Sequence, residues 1–256
     1  WEYGQGGILV NVLEKSTLNV TGYVRSYGQF ILNSIGKTTV TAERDQNAVD
    51  AYYVEIYAIK SGSVLITAGY QDTKTVKGYA ESDWTNTIIN NYFDGEVLRY
   101  AAKSGIKSYD CYIYCEDNAS ITITGGKDTT EFYNSRGGSG IQADYRRTFS
   151  YSKNPIKVTG GECSGNKRNQ WSSRYYEILN CGGDAIQSHD VSLFGQKYVF
   201  TGGKGIGSGS GNATFGGAGV CLCDDYGYMH IGMGVSLTAQ NGLTNGYALT
   251  YGVSNR

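Results

Sequence analysis

GIKSYDCYIYCEDNASITITGG, residues Gly105 to Gly126, decides how this chain folds. It opens on a small residue followed by Ile (Gly105-Ile106) and continues into the alternating run Cys111-Tyr112-Ile113-Tyr114-Cys115. A polar turn follows, and a second alternating run, Ile121-Thr122-Ile123-Thr124, ends on two glycines. Alternation with a period of two marks half-buried β-strands. Three such strands so close together make one coil of a larger object, because none has a partner within the stretch to cover its apolar side.

The same order recurs along the chain. Small-Ile/Val pairs stand at Ala48-Val49, Gly105-Ile106, Gly140-Ile141, Ala185-Ile186 and Gly219-Val220, and apolar strands end in threonine at Thr21, Thr41, Thr67, Thr124, Thr159, Thr201 and Thr238. The small residue precedes its threonine by 19 positions in four units (48 to 67, 105 to 124, 140 to 159, 219 to 238) and by 16 in the fifth (185 to 201). Internal repetition on this scale is the signature of solenoids, propellers and arrays.

Period two also assigns the faces. Val54 with Ile56, Cys111 with Ile113, Val191 with Leu193, Ile121 with Ile123, Ile156 with Val158 and Tyr198 with Phe200 point one way and stack as inward ladders. Each coil must bury that side on its neighbours, which is how a solenoid is held together. The expected fold is all-β: a right-handed parallel β-helix with about three short strands per coil. The extra residues leave after the threonine strand (70–100, 127–137, 162–180, 204–216) and gather on one side. Residues 1–256 form a single domain, less regular over 1–100 and regular over 101–256. Coil lengths vary too widely for a left-handed hexapeptide helix, and hairpin signals for a propeller are missing. A β-sandwich is the alternative.

Composition narrows the partners. Lys and Arg number 22 against 23 Asp and Glu, so neither a nucleic-acid backbone nor an anionic membrane is an electrostatic match. No apolar run is long enough to span a bilayer. The chain begins Trp1-Glu2-Tyr3 with neither Met nor a leader, which suggests a processed or excised piece. Twenty-three tyrosines suit β-sheet surfaces and ligand platforms alike.

The six cysteines separate by face. Cys111 and Cys115 share a strand and a face, too far apart to bond each other, and read as buried small hydrophobes. Cys221 and Cys223 flank an inward Leu222 and are expected to face out. Cys163 and Cys181 open and close one insertion. A bridge there stabilises by about 3 kcal/mol in the loop-closure picture and implies an extracellular or cell-surface location. The other reading is two ordinary loop thiols.

The motifs Gly105-Ile106-Lys107-Ser108-Tyr109-Asp110, Gly140-Ile141-Gln142-Ala143-Asp144 and Gly183-Asp184-Ala185-Ile186-Gln187-Ser188-His189-Asp190, each followed by an apolar-Thr-Gly-Gly strand, carry a resemblance. They resemble the repeat of secreted bacterial carbohydrate-binding β-helix proteins, which share the pectate-lyase fold. The likeness runs over 103–240 and is faint before residue 100. It implies binding of plant or microbial polysaccharide, acidic kinds included, and calcium at acidic turns, here Asp110, Asp184, Asp190 and Asp224. Tyr145, Ser104, Ser139 and Ala218 stand where that family often has an acid. Stacked turns can supply the oxygens calcium requires, whereas an Asp at a turn also serves simply by bonding its own backbone.

Three surfaces are candidates for a ligand. The threonine ladder is one, although its partners (Asn19, Leu65, Lys157, Val199, Ser236) are too irregular for an ice-ordering face and a purely structural ladder accounts for it. The second is the outward side of the first strand: Asp50, Lys107, Gln142, Gln187 and Cys221, then Tyr52, Tyr109, Asp144, His189 and Cys223, a set suited to hydroxyls and carboxylates. The third is the insertions, where Trp84, Tyr92, Phe93, Phe132, Tyr133, Trp171, Tyr175 and Tyr176 lie among Arg136, Lys167, Arg168 and Arg174. Such a set can stack sugars and grip uronates. Asp224-Asp225 is the one adjacent acidic pair in the repeats, and its members point oppositely, a poor catalytic dyad. The expectation is non-catalytic polysaccharide binding. A polysaccharide lyase or depolymerase is one alternative. A surface-assembly, adhesin or phage-tail subunit that self-associates is the other, with Gly4–Val10 as a capping strand.

Overall fold

The computed structural model describes residues 6–71, 102–129, 137–163, 182–205, 216–222, 227–242 and 249–250. These residues are all-β. The larger sheet orders β1 (Gly7–Val12), β3 (Val24–Ser34), β5 (Val49–Ala58), β7 (Ile106–Asp117), β9 (Ile141–Ser152), β11 (Ile186–Gly195), β13 (Val220–Leu222) and β16 (Leu249–Thr250), with β14 (Met229–Ile231) also on β11. The smaller sheet runs β15 (Ser236–Gln240), β12 (Lys197–Thr201), β10 (Ile156–Thr159), β8 (Ser120–Thr124), β6 (Ser63–Thr67), β4 (Lys37–Thr41) and β2 (Thr17–Thr21). Every pairing is parallel and joins one coil to the next, as a parallel β-helix requires.

In β3, β5, β7, β9 and β11 the first and middle strands of the coil run on as one long strand that turns a corner. In β7 the inward residues are Ile106 and Ser108 and then Cys111, Ile113 and Cys115; in β9 they are Ile141 and Ala143 and then Arg146, Thr148 and Ser150. The parity changes once, at 109–110 and 144–145. Tyr52, Tyr109, Asp144 and His189 fall at that change and drop out of the register between neighbours. The corner starts the second inward run of β9 at Arg146.

Between the sheets lies a lumen of stacked side chains. Ile56, Ile66, Ile113, Ile121, Ile123, Ile141, Ile156, Ile186, Leu193 and Phe200 have no solvent exposure, each worth about 1.5–3 kcal/mol of transfer free energy. The outward neighbours alternate with them, as expected from period two.

The threonine ladder is real for six of its members. Thr21, Thr41, Thr67, Thr124, Thr159 and Thr201 pair one to the next, but Thr201 pairs with Gln240, and Thr238 pairs with Val199. Thr238 is thus two residues out of column. The last coil carries extra residues between Leu222 and Met229, and its 19-residue spacing coincides with that of earlier coils without sharing their register.

Insertions leave and return through one corner. Gln71, Asp128, Cys163 and Gly205, the residues from which they depart, bridge one another in order. Just inside that row, Gly126, Gly138, Gly161, Gly183, Gly203, Gly217 and Gly242 form a single backbone ladder, each N–H donating to the preceding carbonyl at 2.7–3.2 Å. Departing and returning segments therefore alternate in one stack, and their packing leaves no room for a side chain. A Cβ on Gly161 would come within 1.8 Å of the Gly126 oxygen, and one on Gly203 within 1.8 Å of the Gly161 oxygen. This accounts for the Thr-Gly-Gly endings. The turn Ala42–Ala48, which makes no excursion, has no glycine pair.

Candidate functional site

The outward face of the larger sheet gathers the residues that can meet a ligand. Asp50, Lys107, Gln142, Gln187 and Cys221 are register partners across β5, β7, β9, β11 and β13, as the repeat phase predicts. Not all are free to bind. The Gln142 side-chain oxygen accepts from Ser104 Oγ at 3.2 Å and that of Gln187 from Ser139 Oγ at 3.0 Å, so each coil's return segment steadies the next coil's glutamine. Lys107 is exposed. Cys221 stands in this outward column, as expected, and is nonetheless buried; Cys223 lies outside the described residues.

Two rows of rings run alongside the column, both toward the C-terminal ends of the strands. At the corner, Tyr52 stacks on Tyr109 (centroids 4.9 Å, planes 10° apart), Tyr109 meets Tyr145 edge-on (5.3 Å, 70°) and Tyr145 leans on His189 (6.0 Å). Tyr145 occupies the ring position that the sequence expectation gave to Asp144, which is exposed and carries no ring. Further along the strands, Tyr57, Tyr112, Phe149, Phe194 and His230 continue as a second row at 4.7–5.5 Å, with Tyr114 and Tyr151 beside it. Parallel strands about 4.8 Å apart place identical positions in van der Waals reach, which is why outward aromatics form rows. Face-to-face rings spend their faces on each other. The rings tilted out of the stack, Tyr145 and Tyr151, expose 40 % and 49 % of their surface and leave a face to solvent.

Hydroxyls and charges are distributed along the rows. Tyr57 donates to Glu55 Oε2 at 2.8 Å and Tyr114 to Glu116 Oε2 at 2.9 Å. Burial first, and then these carboxylates, push both phenols up to about 12. Arg147 pairs with Asp110 across β7 and β9 at 3.0 Å. Among the described outward residues of the larger sheet Asp50, Glu55, Asp110, Glu116 and Asp144 outnumber Arg25, Lys107 and Arg147.

The acids expected at calcium have other tasks. Asp184 is fully buried and accepts the Ala218 N–H at 2.6 Å. Asp190 accepts the Tyr228 N–H at 3.2 Å and contacts His189 Nδ1 at 3.1 Å. Asp110 and Asp190 flank Tyr145 in the register, two strand spacings or about 9.6 Å apart, whereas calcium ligands lie about 2.3–2.6 Å from the ion. Among the described residues no group of three His, Cys, Asp or Glu converges on a point. Asp224 lies outside them, as do Trp84, Trp171, Arg174, Tyr175, Tyr176 and Cys181, so the insertion aromatics and the Cys163–Cys181 bridge are not placed by the structure. Cys163 itself is buried at the stem between Asp128 and Gly205. Cys111 and Cys115 are free buried thiols, as expected, raised by burial to about 12 and about 11.

Tyr145's place in the ring row was not legible in the residues, because the corner inserts a parity change that strict alternation cannot show. No protein-family model, curated protein or solved structure matches this chain.

Proposed function

We propose that this protein binds polysaccharide without catalysis, at the cell surface or outside the cell, using the outward face of the larger sheet. The observation that carries this reading is the pair of aromatic rows spanning successive coils, with Lys107, Gln142, Gln187 and Asp144 beside them. A regular polymer is met by a regular surface: pyranose C–H faces pack on the tilted Tyr145 and Tyr151 rings while hydroxyls bond to the polar column. The local excess of carboxylates over cations repels polyanions, so the reading narrows to neutral, hydroxyl-rich glycans. Calcium enters as a variable of the experiment.

Affinity electrophoresis of the intact chain across neutral and acidic polysaccharides, each with and without chelator, tests the proposal. Retardation by a neutral polymer, unchanged by chelator, is the expected result; no retardation by any polymer sinks it. Self-association is the second reading, favoured by β1, an edge strand with exposed Leu9 and, just beyond it, Leu13. Concentration-dependent filaments in sedimentation experiments, without glycan retardation, would favour it.

A further inference from the structure

Arg146 projects into the lumen of the solenoid and has no hydrogen-bond partner there. It is 1 % exposed and sits in the sheet between Cys111 of β7 and Val191 of β11. Its guanidinium carbon lies 5.0 Å from the centre of the Phe200 ring on the opposite sheet. Nε, Nη1 and Nη2 are all unpartnered. Burial lowers its pKa to about 10, so the group still carries its charge at neutral pH. An unpaired buried cation costs several kcal/mol, and an aromatic face returns only about 2 kcal/mol of that.

The other orphaned groups nearby are of one kind. Thr148 Oγ1 and Ser150 Oγ follow Arg146 on the inward face of β9, and Ser108 Oγ lies on β7; all three are buried hydroxyls without a partner. Tyr198, the large polar side chain across the lumen, already donates to the Thr148 and Phe194 carbonyls. Cys111 cannot serve as the counter-charge, because its buried thiol holds its proton to about 12. Asp110, the carboxylate with a buried unpartnered oxygen, gives its other oxygen to the exposed Arg147. What remains around Arg146 is a set of hydroxyls, each able to donate or accept, and one positive charge that no acidic group there compensates. Water would satisfy donors singly but leave the charge uncompensated, whereas an anion supplies acceptor capacity and the missing charge together.

We propose that the lumen at Arg146 holds one small monovalent inorganic anion, of halide size, bound by the guanidinium and the Thr148 hydroxyl. Ile113 and Val191, the register partners of Thr148 and Arg146, and Phe200 across the lumen have no solvent exposure, so an ion held there is shielded from water. The anion is a component of the folded core, bound as the coils close.

The test uses the full chain refolded from urea in sodium bromide, so that slow entry into a closed lumen cannot hide binding. Bromide anomalous diffraction is expected to show one peak beside Arg146, absent in Arg146→Met, which keeps the volume and removes the charge. In urea titrations at constant ionic strength, with gluconate replaced by bromide, the wild-type folding constant rises about tenfold per tenfold bromide once the site is saturated, and the Arg146→Met constant does not follow. A wild-type lumen without a bromide peak, or equal slopes in the two proteins, overturns the proposal. Should Arg146→Met fail to fold, the wild-type peak and its slope against gluconate decide alone.

Discussion

The Gly183 N–H donates to the Gly161 carbonyl at 2.8 Å, tying together the two ends of the excursion over 162–182. Gly138 and Gly126 do the same for 127–137, and Gly217 and Gly203 for 204–216. An excursion that closes on its own stem leaves the coil geometry unchanged whatever its length. That is how coils of such different sizes keep one lumen.

Gly161→Ala is expected to destabilise the protein by about 3 kcal/mol, the upper range for forcing a methyl into a packed site, because the atom it meets is the Gly126 backbone oxygen at 1.8 Å and not a movable side chain. Gly6→Ala, with nothing within 4 Å, is the control and should stay within about 0.5 kcal/mol. Urea midpoints of the two variants measure the difference.

Replacing 162–182 with a copy of 127–137 should preserve the far-ultraviolet circular dichroism spectrum. Asp128 takes the bridge position of Cys163 in this exchange, and roughly halving a closed loop changes its entropy by only about 0.6 kcal/mol. Glycan retardation should survive, since the aromatic rows remain. Its loss, with the fold intact, would move the site to the Trp171, Arg174, Tyr175 and Tyr176 insertion.

Tyr145→Ala and Tyr151→Ala should each weaken glycan binding about tenfold, the equivalent of about 1.4 kcal/mol, with little effect on stability because both rings are more than a third exposed. Tyr70→Ala, which removes an exposed ring stacked under Arg44 away from the two rows, should leave retardation unchanged.

Stability should fall as pH rises above about 9. Cys111 holds its proton to about 12 in the folded chain, against an ordinary 9.0, because burial disfavours the thiolate. Below pH 9 its contribution is complete, and between 9 and 12 the unfolded chain releases a proton that the folded chain keeps. Cys115, raised to about 11, and Tyr198, raised from 10.0 to about 12, add the same sign. Arg146 opposes them: lowered from 12.5 to about 10, it releases its proton first in the folded state and adds stability above about 10. The clean window is therefore pH 9 to 10, where urea midpoints should drop and Cys111→Ala should flatten the slope.

The unit of repetition, the strand faces and the side from which insertions depart were all legible in the residues. Ile, Val and Leu alternate with polar neighbours, and a strand has only two faces to choose between. Thr238 shows where that legibility ends: a shift of two residues preserves the face, so nothing in the alternation distinguishes it from Gln240 as the partner of Thr201. Tyr145 and Arg146 show the complementary limit. Between Ala143 and Arg146 the chain turns a corner and changes parity, which sends one large side chain outward to the ring row and the next into the lumen. The glycines were visible as strand endings, but their reason is contact between backbones distant in sequence, Gly126 with Gly161 and Gly161 with Gly203.

The amino-acid order by itself determined that this chain coils into a stacked all-β solenoid, because each short amphipathic strand needs a neighbour to cover it. The tertiary structure alone decided the register of the last coil, the aromatic rows, the glycine ladder and the buried charge at Arg146. Each depends on which coil lies beside which and where a strand bends, and a local pattern of period two carries neither.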